Sequence, residues 1–258
     1  MNPNQVRIRE LANWGFDDYP YRPAIKREQQ ETEPFQQRPV LLEEQTKQLQ
    51  AMLAPHANRP DLLAEMAGLS WSLSIVDLRP LIAFQRRLAF NSNMPIVIPT
   101  NPDWPSLLAL SIGRPKAIEC ASIHDASTYS LTITSSNPNL HVRPTNDPLH
   151  PISIHTGSPF FEVACFQNRW FLRDGYHRAF ALLQAGIFEV PAVIVYCKTF
   201  EELGAAQPWF FPHEILFSNT PPRVIDFLNN DLTTEYHRPP LIKTVRITIE
   251  ETLTPHHS

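Results

Sequence analysis

Five consecutive residues, Asp174-Gly175-Tyr176-His177-Arg178, combine a carboxylate, a glycine, an imidazole and a guanidinium. Gly175 permits a backbone conformation or a close approach that a Cβ would forbid. Arg178 can fork two hydrogen bonds to phosphate oxygens, and His177 adds a donor or a titratable group. Asp174 cannot face a bare phosphate favourably. It either caps a helix, holds a divalent cation that bridges to the ligand, or accepts a proton from a substrate hydroxyl. Together these residues describe a phosphate cradle. The plainer alternative is an ordinary capped helix start, with Asp174 as cap, Tyr176 packed, and His177 and Arg178 on a solvated face.

The elements that must position this pentad are legible around it. Over 160–196 the chain reads strand, turn, strand, helix, strand. Phe161, Val163 and Cys165 alternate with Glu162 and Ala164, Gln167-Asn168 suits a hairpin turn, and 170–172 returns as the partner strand. Gly175 breaks that strand. Ala179, Leu182, Leu183 and Ala185 then repeat at helical spacing, Gly186 is the expected stop, and 190–196 is an apolar strand. The pentad therefore falls where a strand ends and a helix begins, a place whose free N–H groups and dipole attract anions.

This strand, the Asp-Gly-x-His-Arg turn, the Ala-rich helix, Ala185-Gly186-Ile187 and the strand after it resemble the ParB/sulfiredoxin superfamily. The segment Ile75-Val76-Asp77-Leu78-Arg79-Pro80 with Gln85-Arg86 is similar to that family's opening strand. The resemblance implies an α+β fold, a small mixed sheet with helices, and a nucleotide-phosphate site at the turn. By position it implies Gly175, Tyr176, His177 and Arg178 as the nucleotide-binding set and Asp174 and His177 as catalytic candidates. Sulfiredoxins carry their reactive cysteine where Tyr176 stands here, which excludes thiol-dependent rescue of sulfinic acids. Free serine kinases of the superfamily have a similar Asp-Gly-x-x-Arg-Ala turn whose Asp is catalytic, and Asp174 with Arg178-Ala179 matches it. ParB proteins bind CTP and continue into a helix-turn-helix module, whereas 200–258 here is Pro-rich and ends in a strand pattern at 245–249. DNA phosphorothioation regulators have an Asp-Gly-Gln-His-Arg turn, one residue from this one. The expectation is a nucleotide-binding protein taking ATP, ADP or CTP, with Mg²⁺ if Asp174 is catalytic, that hydrolyses the nucleotide or transfers phosphate to a small hydroxyl substrate. The alternative is a non-catalytic regulator or DNA-associated scaffold switched by nucleotide.

The rest of the 258-residue chain narrows the field. With 22 Lys+Arg against 26 Asp+Glu the net charge is -4, so a basic nucleic-acid face is excluded as a whole-chain property and DNA is not a favoured partner. The best basic cluster, Arg79 with Arg86 and Arg87, reads equally as a solvated helix side. No apolar run is long enough for a membrane span and the start lacks a secretory core, so a cytoplasmic location is expected. Cys120, Cys165 and Cys197 lack metal or disulfide spacing. His141, His150 and His155 with Asp147 are a weak metal set. Asp125 and Glu119 are candidate carboxylate partners of the site. Trp209-Phe210-Phe211 suits an apolar plug better than a docking patch. With Pro 26 against Gly 7, much of the chain is expected to be irregular but stiff. We divide it into an extended arm (1–39), a helical lead-in (40–69) with helices over 40–53 and 60–69, a domain (70–198) with an insertion at 101–151, and a C-terminal extension (199–258). Within the domain the pattern predicts strands at 71–78 and 96–98, a helix at 81–90, and short strands at 116–120 and 129–134.

Overall fold

The computed structural model describes residues 5–12, 14, 35–90, 96–114, 118–137, 140–144, 149, 152–155, 157–248 and 250. In chain order its elements begin with β1 (Val6–Leu11), α1 (Glu43–Gln48), α2 (Gln50–Leu53) and α3 (Pro60–Glu65). There follow β2 (Ser70–Asp77), β3 (Ile82–Ala83), β4 (Arg87–Phe90) and α4 (Trp104–Ser111). Then come β5 (Ala121–Asp125), β6 (Ser130–Ser135), β7 (His141–Pro144), β8 (Ile152–His155), β9 (Glu162–Phe166) and β10 (Arg169–Asp174). The chain closes with α5 (Tyr176–Gln184), β11 (Glu189–Tyr196), α6 (Phe200–Leu203), α7 (His213–Leu216), β12 (Thr233–Arg238) and β13 (Lys243–Thr248). The fold is α+β.

Two compact units divide the chain. The first comprises Met1–Pro115 and Ser158–Pro239, the second Lys116–Gly157 and Pro240–Ser258. The second unit therefore begins later than the expected insertion and takes the C-terminal stretch with it. It contains the antiparallel sheet β13-β6-β5 and the hairpin β7-β8. Of the expected strand at 116–120, residues 116–117 lie outside the described residues and 118–120 are irregular; β5 begins at Ala121. His141 and His155 oppose each other in the hairpin register. The side chains of these two, and His150 and Asp147 altogether, lie outside the described residues.

The first unit carries the pentad. Its mixed sheet runs β2-β11-β9-β10-β3. β11 sits between β2 and β9, and residues Val190 and Ala192 to Val195 are fully buried, as expected of an apolar strand covered on both faces. Pro191 is tolerated there for a visible reason. It faces Ile75, whose N–H is taken by Thr46 Oγ1 at 2.9 Å and whose carbonyl accepts the Leu42 amide at 2.9 Å, so no ladder bond needs the missing proline donor. Gln167 and Asn168, at φ 48° and 60°, form the two-residue hairpin between β9 and β10. Gly186, at φ +75°, ends α5: its amide bonds Leu183 O and the Ile187 amide bonds Leu182 O, which satisfies the last helical carbonyls.

Several expectations are corrected. The region 81–90 is not a helix: Ile82–Ala83 pairs in parallel with Phe171–Leu172, and Arg87–Phe90 pairs with β1. Leu81 to Phe84 are all buried, and a run buried on every side gives no period that separates strand from helix. The segment 96–98 is irregular, with Val97 exposed. The N-terminal stretch is not an arm throughout, because β1 is the middle strand of the sheet β12-β1-β4. Trp14 packs edge-on against Phe211 and donates from Nε1 to Thr220 O at 3.2 Å. The helix expected over 40–53 is broken at Leu49 into α1 and α2. Of the aromatic triplet, Phe211 is buried and Trp209 exposed, so only part of it is a plug. No helix among the described residues is long and apolar enough to cross a membrane.

Candidate functional site

The turn forms as its sequence requires. Gly175 adopts φ +98°, and a Cβ there would lie 2.8 Å from Cδ2 of Phe161, a fully buried ring. Gly175 is the N-cap of α5, and the Ala179 amide makes the first helical bond to Gly175 O at 2.8 Å. The amides of Tyr176, His177 and Arg178 thus precede the helical ladder at the positive end of α5.

The three side chains after Gly175 point into the protein. Tyr176 is buried and its hydroxyl accepts the Phe84 amide at 2.9 Å and the Gln85 amide at 3.2 Å; burial raises its pKa. His177 pairs through Nε2 with Ala89 O at 3.0 Å and packs edge-on against Phe90; burial lowers its pKa, which keeps the ring neutral. Arg178 donates from Nη1 to Leu110 O (3.1 Å) and Pro159 O (2.7 Å), and from Nη2 to Phe160 O (2.7 Å). Neither His177 nor Arg178 lies on a solvated face. The guanidinium that sequence assigned to phosphate oxygens instead ties the end of α4 to the segment entering β9.

The N-cap position falls on Gly175 rather than on Asp174, and the Gly175 amide favours the charged form of the Asp174 carboxylate. The carboxylate lies 3.7 Å from Arg178 Nη2, and the side chain stays partly open at 37% exposure. Burial of the carboxyl, then the nearby charge of Glu162, push its pKa up to about 7, against the opposing pull of Arg178.

Glu162 is the residue that sequence reasoning missed. In an alternating strand it reads as an outward polar position, yet its residue exposure is 2%. The β9–β10 register pairs Leu172 with Val163 and Asp174 with Glu162, so Arg173 is an extra residue, a β-bulge. A bulge sets two residues against one and re-aims their side chains. Arg173 uses Nη1 to pair with Glu162 Oε2 and Nε to donate to Glu202 O at 3.2 Å. Glu162 Oε1 is buried and has no hydrogen-bond partner. Burial raises the Glu162 pKa, against the opposing pull of the Arg173 charge and then of the Ser158 hydroxyl. Ser158 Oγ accepts the Phe160 amide at 3.1 Å. The available signal was the charged dipeptide Arg173-Asp174 ending a strand: two adjacent charges at a half-buried position need partners.

The other sequence candidates have partners of their own. Asp125 belongs to the second unit and accepts Ser127 N at 2.9 Å and Ser127 Oγ at 2.6 Å, which hold its pKa down. Glu119 is in that unit too, its carbonyl accepting Ser135 Oγ at 2.7 Å. Arg79 is paired with Asp77 at 2.6 Å, and Arg86 and Arg87 share buried Glu10 at 3.5 and 3.1 Å, so each member of the basic cluster has a carboxylate partner within the protein. Cys197 is half-buried and its thiol is pushed up to about 11, mainly by burial, which disfavours the reactive thiolate. No group of three or more His, Cys, Asp or Glu side chains among the described residues could hold a metal alone. No protein-family model, curated protein or solved structure matches this chain.

Proposed function

We propose that the protein binds a nucleotide, with its phosphates at the first-turn amides of α5 and its working carboxylate at Asp174. The observation that carries the reading is the local build of the turn: left-handed Gly175 opens the helix beside a carboxylate that lies 3.7 Å from Arg178 Nη2 and is partly open to solvent. Backbone N–H groups at a helix start supply phosphate affinity without a guanidinium. Asp174 suits either of two tasks, accepting a proton from a hydroxyl nucleophile near neutral pH or holding Mg²⁺ against phosphate oxygens. ATP, ADP and CTP are the candidate ligands, and hydrolysis or transfer to a small hydroxyl substrate is the candidate reaction, in line with the turn's resemblance to ParB/sulfiredoxin proteins.

Calorimetry on the full chain tests this with a sign change. Without metal, Asp174→Asn removes a repulsive charge and should tighten nucleotide binding; with Mg²⁺ the same variant should weaken it and abolish any turnover. Failure of the wild type to bind ATP, ADP or CTP in either condition would refute the reading.

One observation favours the second reading, a regulator that binds nucleotide without turning it over. Tyr176, His177 and Arg178 all direct their polar atoms to backbone groups, which suits a turn whose side chains hold architecture. Binding without product formation would select it.

A further inference from the structure

We propose that the protein self-associates through β5, which pairs antiparallel with β5 of a second copy about a two-fold axis at Ile123, so that the sheet β13-β6-β5 continues into its own image. The contact lies within the second unit and stands independently of the nucleotide reading. Three observations carry it.

β5 is an open edge among the described residues. It pairs with β6 on one side, and no described strand lies on the other. All five of its residues, Ala121 to Asp125, are exposed. Alternate N–H and C=O groups along such a strand point away from its neighbour and await another extended chain. Edges are ordinarily blunted by Lys, by Pro or by a bulge. β5 contains neither residue type, and its register with β6 runs unbroken from Ala121↔Thr134 to Asp125↔Ser130. The opposite edge of the sheet is guarded, since β13 carries Lys243 and Arg246.

Next, the edge fits itself. Antiparallel pairing about Ile123 uses all five residues and sets Ile123 opposite its counterpart, Ser122 opposite His124 and Ala121 opposite Asp125. No like charges meet. Asp125 is satisfied inside its own turn by Ser127 N and Ser127 Oγ, and in the pair it faces only an alanine. Ile123, 69% exposed, is the one large apolar side chain of the strand. Across the axis it gains a β-branched partner with Cβ atoms about 4.5–5.5 Å apart.

Lastly, charge does not oppose the contact. The second unit carries four Lys+Arg against five Asp+Glu, and a near-neutral surface has little self-repulsion. A two-fold contact between identical edges closes at the dimer, whereas β5 on β13 would build an open filament. Five paired residues make a small interface, of the class below about 1,200 Å² that associates weakly.

Sedimentation equilibrium of the full chain tests this, with thiols kept reduced because Cys120 is exposed. The wild type should pass from monomer to dimer between about 1 µM and 1 mM. Ile123→Lys and Ile123→Glu each set like charges across the axis and should raise the dimer Kd at least about tenfold. Mixing the Lys and Glu variants should restore the dimer, because an axis at residue 123 places the two opposite one another. Amide hydrogen exchange of the wild type should slow at 121–125 as concentration rises, a readout that needs no variant. A chain that stays monomeric over the range, a dimer indifferent to both variants, a mixture that stays monomeric, unchanged exchange at 121–125, or assemblies that grow past the dimer overturns the proposal.

Discussion

Gly175 shows how tightly the turn is specified. Gly175→Ala would force a Cβ into the Phe161 ring at a positive φ, and it should destabilise the protein by about 1–3 kcal/mol in urea unfolding. Arg178→Ala removes three hydrogen bonds from a charged donor to backbone carbonyls and should cost about 3 kcal/mol or more by the same measurement. Arg178→Lys should recover less than half of that, because one ammonium cannot span a fork. Asp174 predicts a pH effect of definite sign. Its carboxyl binds a proton more tightly in the folded state, at about 7 against a usual 3.8. The wild type should therefore lose stability as pH rises from about 4 to 7, then level off. Asp174→Asn should show a shallower decline in Tm over that window, and identical pH profiles for the two proteins would contradict the assignment.

At the scale of elements, what could be read in advance depended on whether burial left a period in the sequence. α5 and β11 were legible because Ala179, Leu182 and Leu183 repeat at helical spacing and 190–196 is a bounded apolar run. The hairpin at Gln167-Asn168 was legible from turn chemistry. The stretch 81–90 was not, since Leu81 to Phe84, Arg86 and Leu88 are buried on all sides and arginine at such positions imitates a solvated helix face. The site was half visible. The turn and its glycine stand in the sequence, but the partner carboxylate does not, because a bulge depends on strand register, and register is set by tertiary pairing. The inward direction of Arg178 was hidden for a similar reason: its acceptors lie 18 to 68 residues away.

For the whole molecule, the N-terminal strand is part of the body. Leu11 is buried in the core and β1 pairs on both sides, so Leu11→Ala should cost about 2–5 kcal/mol in chemical denaturation. A detachable arm would give almost no change. The chain leaves the first unit near Pro115 and re-enters at Ser158, and Arg178 bonds carbonyls on both sides of that gap, Leu110 before it and Pro159 and Phe160 after it. The most direct measurement is a backbone amide NMR titration of the intact protein with ADP. Binding should shift the amides of Tyr176, His177 and Arg178 downfield, saturably and first among all resonances. Amides there that stay unmoved at saturating ADP, or that move only after shifts elsewhere are complete, would contradict the phosphate site.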